Sequence, residues 1–224
     1  MGEVCVNGLL TGDGLIYYLY HAKNQETDKM DNFLSFKDLV RKNRSYRRFN
    51  ESERINPERV AAWIELTRYV PSGRNMQPLK YAIITEKAFT EQVFELLAWA
   101  GYLKDWPGPV PGERPAAYVA VMKDITLADN IFCDDGIAVQ TLLLGAVSDG
   151  FGGCIIGSFN KEKMRSLLKI PEHLQLLWIV ALGRPVETVI LEELQGDDIR
   201  YWRDAEGNHH VPKRRLEDLI VLKK

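Results

Sequence analysis

Two compact clusters of basic residues are the part of this chain best suited to binding an anion. The first basic cluster is the run Asn43–Phe49 (NRSYRRF), and the second is the run Pro212–Leu216 (PKRRL). Arginine offers a planar fork of donors, lysine a point charge and serine an oriented hydroxyl group, a combination that suits a phosphate. Since the formal net charge of the chain is only -2, two local clusters favour a small anionic ligand over a nucleic acid. The alternative is that both runs are ordinary solvated surface charge.

A glycine-rich segment, Gly150–Ser158, could let the backbone approach a flat ligand, with Ile155 and Ile156 offering apolar contact. It is not a P-loop, because no Gly-Lys-Ser/Thr follows, and it does not fit the Gly-x-Gly-x-x-Gly dinucleotide pattern. A tight connection after a long helix explains the segment about as well.

The loop Pro71–Pro78 carries amide and hydroxyl side chains, Ser72, Asn75 and Gln77, between two prolines. Amides both donate and accept hydrogen bonds, which suits a heterocycle that presents both kinds of group along one edge. Most loops of this composition are simply turns, so the loop alone is a weak signal.

Conventional catalytic side chains are harder to find. The four histidines and the three cysteines have no metal-binding spacing, and no Gly-x-Ser-x-Gly elbow is present. We therefore expect no metal and no catalytic side chain, with any difficult chemistry assigned to a cofactor. Widely separated cysteines also fit a reducing cytoplasm, and a pI near 6.1 argues against a dedicated nucleic-acid binder.

The surrounding pattern predicts one α+β domain without clean βαβ repeats. The expected helices cover residues 36–43, a segment opened by Asn56-Pro57, then residues 88–100, 131–147 and 161–169. The expected strands cover residues 81–84, 117–122 and 176–182, and the apolar tail 216–222 is expected to add an edge strand or to cross to a partner subunit. Apolar residues lie nearly all around the stretch Ala138–Val147, which predicts a buried core helix or a subunit interface.

The first 29 residues lack this periodicity. We expect residues 1–29 to be a loose extension, or to precede a biological start at Met30, and residues 30–224 to form the domain. The apolar run Gly14–Tyr20 is too short to span a bilayer, and no secretory signal is recognised.

Together these segments resemble the nitroreductase family of FMN-dependent flavoenzymes over about residues 36–221. The family pattern Arg-Arg-Ser-x-Arg-x-Phe is matched by Asn43–Phe49, with Asn43 in place of the first arginine. The pattern Pro-Ser-x-x-Asn-x-Gln-Pro is matched by Pro71–Pro78, and Leu-Gly-x-Pro by Leu182–Pro185. A long apolar helix, a glycine-rich stretch and a C-terminal basic pair complete the series.

The resemblance implies roles for individual residues. The phosphate and the pyrimidine side of FMN would be held by Arg44, Ser45 and Arg47 with Lys213 and Arg215, and the ring's polar edge by Asn75 and Gln77. Asn43 and Tyr46 belong to the same binding segment, and the backbone of Ile156, Gly157 and Ser158 would pass over the ring. Trp99, Tyr102 and Trp106 are candidate walls of the substrate pocket, although ordinary packing explains them equally well.

The resemblance further implies a central, mostly antiparallel sheet flanked by helices, in an intertwined homodimer. The implied activity is hydride transfer from NADH or NADPH through FMN to a flat oxidised small molecule, such as a nitroaromatic or quinone, by a ping-pong cycle. The alternatives are a flavin-binding protein without turnover, a reductive dehalogenase on the same scaffold, and a basic-aromatic nucleic-acid-binding module.

Overall fold

The computed structural model describes residues 35–224. Within them, residues 35–42 are helical (α1), close to the predicted 36–43, and Asn43–Lys224 forms one compact unit. The proposed extension 1–29 lies outside the described residues, and the domain start at residue 30 stays a prediction.

A four-stranded antiparallel sheet forms the centre of the unit, in the order β1-β2-β4-β3. Its strands are β1 (Leu79–Ile84), β2 (Ala117–Asp124), β3 (Gly152–Ile156) and β4 (Leu174–Gly183). The two inner strands, β2 and β4, consist mainly of buried apolar residues, as expected of strands covered on both faces.

Helices cover both faces of this sheet. They are α2 (Pro57–Glu65), α3 (Lys87–Phe94), α4 (Asp134–Ser148) and α5 (Lys161–Leu167). Val119 and Val121 pack in one hydrophobic cluster with residues of α2 and α4, whereas Tyr118 and Ala120 pack in a second cluster with residues of α3 and α5. Since neighbouring side chains of a strand point to opposite faces, α2 and α4 lie on one face and α3 and α5 on the other. The predicted α+β architecture is confirmed.

Local signals fixed two helix starts. The side chain of Asn56 accepts a hydrogen bond from the backbone N–H of Arg59 at 2.8 Å, and Pro57 occupies the first turn of α2. Asn160 caps α5 in the same way, through the backbone N–H of Lys163 at 3.0 Å. Both starts agree with the sequence, because a cap depends only on residues three positions apart.

Helix α3 ends at Phe94, so the prediction of a helix reaching residue 100 is wrong. The chain beyond it pairs with the segment after β3: Leu97 bridges Phe159, and the N–H of Ala98 donates to the carbonyl of Ser158 at 2.9 Å. These backbone bonds to a distant segment replace the helical ones, which is why the apolar pattern alone misassigned residues 95–100.

Helix α4 is the predicted long core helix, but only part of its circumference is covered in the single subunit. Ala138, Leu142 and Ala146 are buried, whereas Gln140 is exposed and Leu144 is half-buried. One face of α4 is therefore buried in the described chain, and the alternative of a subunit interface stays a prediction.

A second sheet follows, which the sequence did not predict. Strands β5 (Val189–Glu193), β6 (Trp202–Arg203) and β7 (His209–Lys213) pair in the order β5-β7-β6, with β5 and β7 parallel. The tail then forms the short helix α6 (Leu216–Leu219), and residues 220–224 have no regular structure. The expectation of an edge strand at 216–222 is wrong, since the backbone N–H of Ile220 donates to Leu216 within a helical turn.

Candidate active site

The two basic clusters meet in one cleft of about 340 Å³. From the first cluster the cleft is lined by Asn43, Arg44, Ser45 and Arg47, and from the second by Lys213. None of the described residues that line it is an aspartate or glutamate. Desolvation by burial lowers the pKa of Arg44 from its ordinary value, while Ser45 and Lys213 remain exposed. A cleft of this kind suits an anion.

Backbone pairing fixes the first cluster against the central sheet. Ser45 and Gly153 form a parallel β-bridge, and the N–H of Tyr46 donates to the carbonyl of Gly153 at 3.0 Å. The ring of Tyr46 packs on Gly152, so Tyr46 supports the segment and does not line the cleft. At the other end of the cluster, Phe49 is fully buried and bridges Pro185.

A buried carboxylate holds the middle of the same segment. Glu187 Oε1 accepts hydrogen bonds from the backbone N–H groups of Arg47 and Arg48, the latter at 3.1 Å. Its other oxygen accepts from Arg203 Nη2 at 2.8 Å, and the Glu187 side chain is 0% exposed. One carboxylate thus ties the first basic cluster to the second sheet.

Strand β7 brings its alternate residues His209, Val211 and Lys213 to the cleft. His209 is 1% exposed, and its Nε2 lies 3.2 Å from Nη1 of Arg47. Burial, together with the nearby cations Arg47 and Arg203, lowers the pKa of His209 to about 4. The imidazole is therefore neutral near pH 7 and accepts a hydrogen bond from Arg47.

A second cleft of about 200 Å³ shares a wall with the first. It is lined by Ile156, Gly157 and Ser158 of the glycine-rich segment and by Trp99. Arg47, Ile155 and Tyr201 line both clefts. The structure therefore brings nine of the predicted residues to two adjoining clefts: Asn43, Arg44, Ser45, Arg47, Lys213, Trp99, Ile156, Gly157 and Ser158.

The other two aromatic candidates lie outside these linings. Tyr102 is 48% exposed, and its ring lies 5.0 Å from that of Tyr201. The guanidinium carbon Cζ of Arg203 lies 4.2 Å from the ring centroid of Trp106. The rings of Trp106 and Trp99 meet at a steep angle of 74°. Tyr102 thus contacts Tyr201 of the cleft walls, and Trp106 packs against Trp99.

Asn75 and Gln77 line a third cleft of about 190 Å³ together with Ser72 and Asp134. Asp134, at the start of α4, accepts hydrogen bonds from Ser72 Oγ at 2.5 Å and from the N–H of Gly73 at 2.8 Å. Both Asn75 and Gln77 have positive φ, 57° and 49°, which few non-glycine residues adopt. The loop is held in a defined shape, but the fold of the described chain does not bring it to the basic cleft.

Arg215 also lies away from the basic cleft. It precedes α6, half-exposed, and forms ion pairs with Glu217 at 3.3 Å, Asp218 at 3.6 Å and Glu193 at 3.9 Å. Neighbouring Arg214 shares this acidic surface. Of the second basic cluster, only Lys213 lines the cleft.

The sequence did not reveal the polar residues Gln140, Tyr201 and His209 of the cleft wall, nor Glu187, which supports that wall. His209 lies on the same face of β7 as Lys213, but Pro212 and the parallel pairing of β7 conceal that strand in the sequence. Tyr201 lies in an irregular segment before β6, and no local pattern marks it.

Neither a metal centre nor a membrane span is seen in residues 35–224. No group of three or more histidine, cysteine, aspartate or glutamate side chains there could hold a metal ion. No helix in the same part of the chain is long and apolar enough to cross a membrane.

Comparison with known proteins gives a family from the sequence and a shared fold from the structure. The nitroreductase family model matches residues 40–184, more than half of the chain. A Bacillus subtilis (strain 168) protein named "Putative NAD(P)H nitroreductase YodC" is 21% identical over 180 residues, covering 67% of this chain and 89% of that protein.

Solved structures share the fold. A nitroreductase family protein from Streptococcus pneumoniae TIGR4 superposes with a TM-score of 0.60 at 17% identity, covering 84% of this chain and 100% of that chain. A "putative nitroreductase in complex with FMN" from Exiguobacterium sibiricum 255-15 gives a TM-score of 0.57 at 19% identity, covering 67% of this chain and 88% of that one. The family model spans all four strands of the central sheet and the helices α2 to α5 that cover it. This chain therefore belongs to the nitroreductase family.

Proposed function

We propose that this protein is an FMN-dependent oxidoreductase that transfers hydride from NADH or NADPH to a flat oxidised small molecule. A nitroaromatic or a quinone is the expected class of acceptor. The observation that carries the proposal is the convergence of Arg44, Ser45 and Lys213 in one cleft that continues, past Arg47, into a second cleft. A relative named as an NAD(P)H nitroreductase and a structural neighbour in complex with FMN support the choice of cofactor and reductant.

The residues present fit the phosphate of FMN. Three cationic side chains, Arg44, Arg47 and Lys213, and the hydroxyl group of Ser45 line the basic cleft, and no described acidic side chain lines it to compete. Arg44 would donate from a planar guanidinium, Lys213 would contribute a point charge and Ser45 an O–H donor. Asn43 is 7% exposed at the cleft wall, where it adds a neutral amide in place of the arginine of the family pattern.

The second cleft fits a flat ring. Gly157 contributes no side chain to its wall, and Trp99 offers an aromatic surface. Arg47, in the wall shared by both clefts, would place a fixed positive charge beside the ring, where a flavin gains negative charge on reduction. A bound FMN would supply the hydride chemistry that amino-acid side chains do not provide.

A homodimer is part of the proposal. The half-covered face of α4 exposes Gln140, which lines the basic cleft, and the tail presents Val221 at 98% and Leu222 at 67% exposure. Apolar surface of this kind suits a subunit contact. A second subunit would also offer a route for Asn75 and Gln77 to reach the cofactor, since within one subunit they line a separate cleft. We expect the dimer to act in the cytoplasm.

The test is anaerobic spectroscopy of the purified protein. We expect FMN to be released on denaturation, its visible absorbance to bleach with NADH or NADPH, and the colour to return on adding a nitroaromatic or a quinone. Protein that takes up FMN but does not bleach with either nicotinamide would be a flavin-binding protein without this turnover. Colour that returns only with a halogenated aromatic would favour dehalogenation. Protein that takes up no FMN but binds RNA or DNA with steep salt dependence would support the nucleic-acid alternative.

A further inference from the structure

Arg47 is the charged residue common to both clefts, so its orientation bears on whatever binds there. Its backbone N–H is bound by Glu187, and its Nη1 donates to the carbonyl of Ser45 at 3.1 Å. These bonds fix the backbone and one side of the guanidinium. Nη1 also lies 3.2 Å from Nε2 of His209, and the Arg47 side chain has a further hydrogen-bond contact with the thiol of Cys154.

We propose that His209 is a positioning residue whose neutral imidazole accepts a hydrogen bond from Arg47 and holds that guanidinium in the wall shared by the two clefts. The proposal rests on the proposed function for its consequence, since the guanidinium so held would face bound FMN. A neutral acceptor is essential here, because an imidazolium has no lone pair to offer and would repel Arg47.

The surroundings of His209 keep it in place and neutral. Its backbone N–H donates to the carbonyl of Thr188 at 2.8 Å, which anchors β7 beside β5. The Tyr201 ring lies 5.1 Å from the imidazole and also stacks with Arg47, whose Cζ lies 5.0 Å from the ring centroid. The charged and titratable groups that act on His209 are Arg47, Arg203 and His210. Burial and these groups all disfavour the imidazolium, so the pKa of His209, lowered to about 4, agrees with the geometry.

A matched pair of amide variants separates positioning from packing. In His209→Gln the side-chain amide can reach the position of Nε2, so it retains an acceptor for Arg47. In His209→Asn the same amide is one methylene shorter and reaches only about as far as Nδ1. Both variants replace the ring by a neutral polar group, so they differ mainly in access to Arg47.

In the FMN-loaded full-length protein, we expect His209→Asn to weaken FMN binding by about tenfold and to lower the midpoint potential of the bound flavin. A change of this size is expected because the variant loses the charge-assisted hydrogen bond from Arg47. His209→Gln should stay within about threefold of wild type in FMN affinity. In an Arg47→Ala background, His209→Asn should cause no further change, because the partner is already absent. Equal behaviour of the Asn and Gln variants, or an undiminished Asn effect in the Arg47→Ala background, would overturn the proposal.

A measurement without flavin keeps this inference separate from the proposed function. NMR titration of the His209 ring in flavin-free protein should give a pKa well below that of a free imidazole, rising in Arg47→Ala as one nearby cation is removed. If the pKa rises but the wild type takes up no FMN, the proposed function fails and the His209–Arg47 contact stands. If Arg47→Ala leaves the His209 pKa unchanged, the contact itself is refuted, whether or not FMN binds.

Discussion

Ser45 and Gly153 form a parallel β-bridge that joins the first basic cluster to strand β3. The bridge aligns the hydroxyl of Ser45 and the guanidinium of Arg44 with the cleft, and it places Gly153 in the cleft wall. Two sequence features that are far apart in the chain, a basic run and a glycine-rich segment, are thereby parts of one surface. Glycine matters at position 152 because an added Cβ would lie 2.6 Å from Cδ2 of the Tyr46 ring, and at position 153 because β4 and α4 approach closely.

Replacing Gly153 by alanine should therefore disturb both fold and site. The added Cβ would collide with the carbonyl oxygen of Ala181 and lie 2.8 Å from Cδ2 of Leu143. Overpacking of this kind costs on the order of 1–3 kcal/mol. We expect a lower free energy of unfolding in a urea titration and weaker FMN binding.

Gly136→Ala is the matched control for that substitution. Gly136 lies in α4, and a Cβ added there meets nothing within 4 Å. Since alanine favours a helix over glycine by roughly 0.5–1 kcal/mol, this variant should be as stable as wild type or more so. Equal stability of the Gly153 and Gly136 variants would contradict the close approach of Gly153 to Ala181 and Leu143.

Glu187→Gln should strongly destabilise the junction between the first basic cluster and the second sheet. It leaves Arg203, only 15% exposed, without the carboxylate that pairs with it at 2.8 Å. Removing one partner of a buried ion pair costs about 3–5 kcal/mol. The measurement is the free energy of unfolding, and the control is Glu193→Gln, which removes an exposed partner of Arg215 at 3.9 Å and should cost less than about 1 kcal/mol. A loss as small as that of the control would show that Glu187 does not organise the Arg47 segment.

The two adjacent histidines of β7 should give opposite pH dependences. His210 lies between Asp204 at 3.0 Å and Glu192 at 2.5 Å, and these carboxylates raise its pKa. Its stabilising contribution is therefore complete below the unfolded-state value of about 6.5 and is lost as pH rises through the higher folded value. His209, with its pKa lowered to about 4, destabilises the fold as pH falls from about 6.5 towards 4.

Urea unfolding of the wild type and of His210→Gln between pH 5 and pH 9 tests the predicted loss of stability at high pH that is due to His210. The wild type should lose stability relative to His210→Gln as the solution becomes more alkaline, because only the wild type gives up a proton that its folded state holds more tightly. A stability difference between the two proteins that is independent of pH would refute the charged state assigned to His210.

The parts of the fold that the sequence predicted depend on local signals, as the caps by Asn56 and Asn160 show. The parts it missed depend on distant partners. Strand β7 contains Pro212 and pairs in parallel with β5, so neither composition nor alternation marks it as a strand. Residues 95–100 have a helical composition but take backbone partners from residues 158–160.

The same contrast holds for the candidate site. The sequence motifs predicted four binding residues that the structure brings to one cleft: Arg44, Ser45, Arg47 and Lys213. Arg215 matches the family pattern equally well, yet the turn into α6 directs it to an acidic surface. That difference depends on where β7 ends, at Lys213, which the amino-acid types alone do not reveal.

The most direct test of the central claim, that the two basic clusters form one phosphate-binding cleft, is an FMN titration of three proteins. These are the wild type, the double variant Arg44→Ala/Lys213→Ala, and Arg214→Ala as a control that removes a neighbouring charge outside the cleft. Since a hydrogen bond to a charged group contributes about 1.5–3 kcal/mol, the double variant should lose FMN affinity by at least about a hundredfold while unfolding as cooperatively as wild type. The Arg214 variant should bind FMN as wild type does. Full retention of FMN by the double variant would contradict the account.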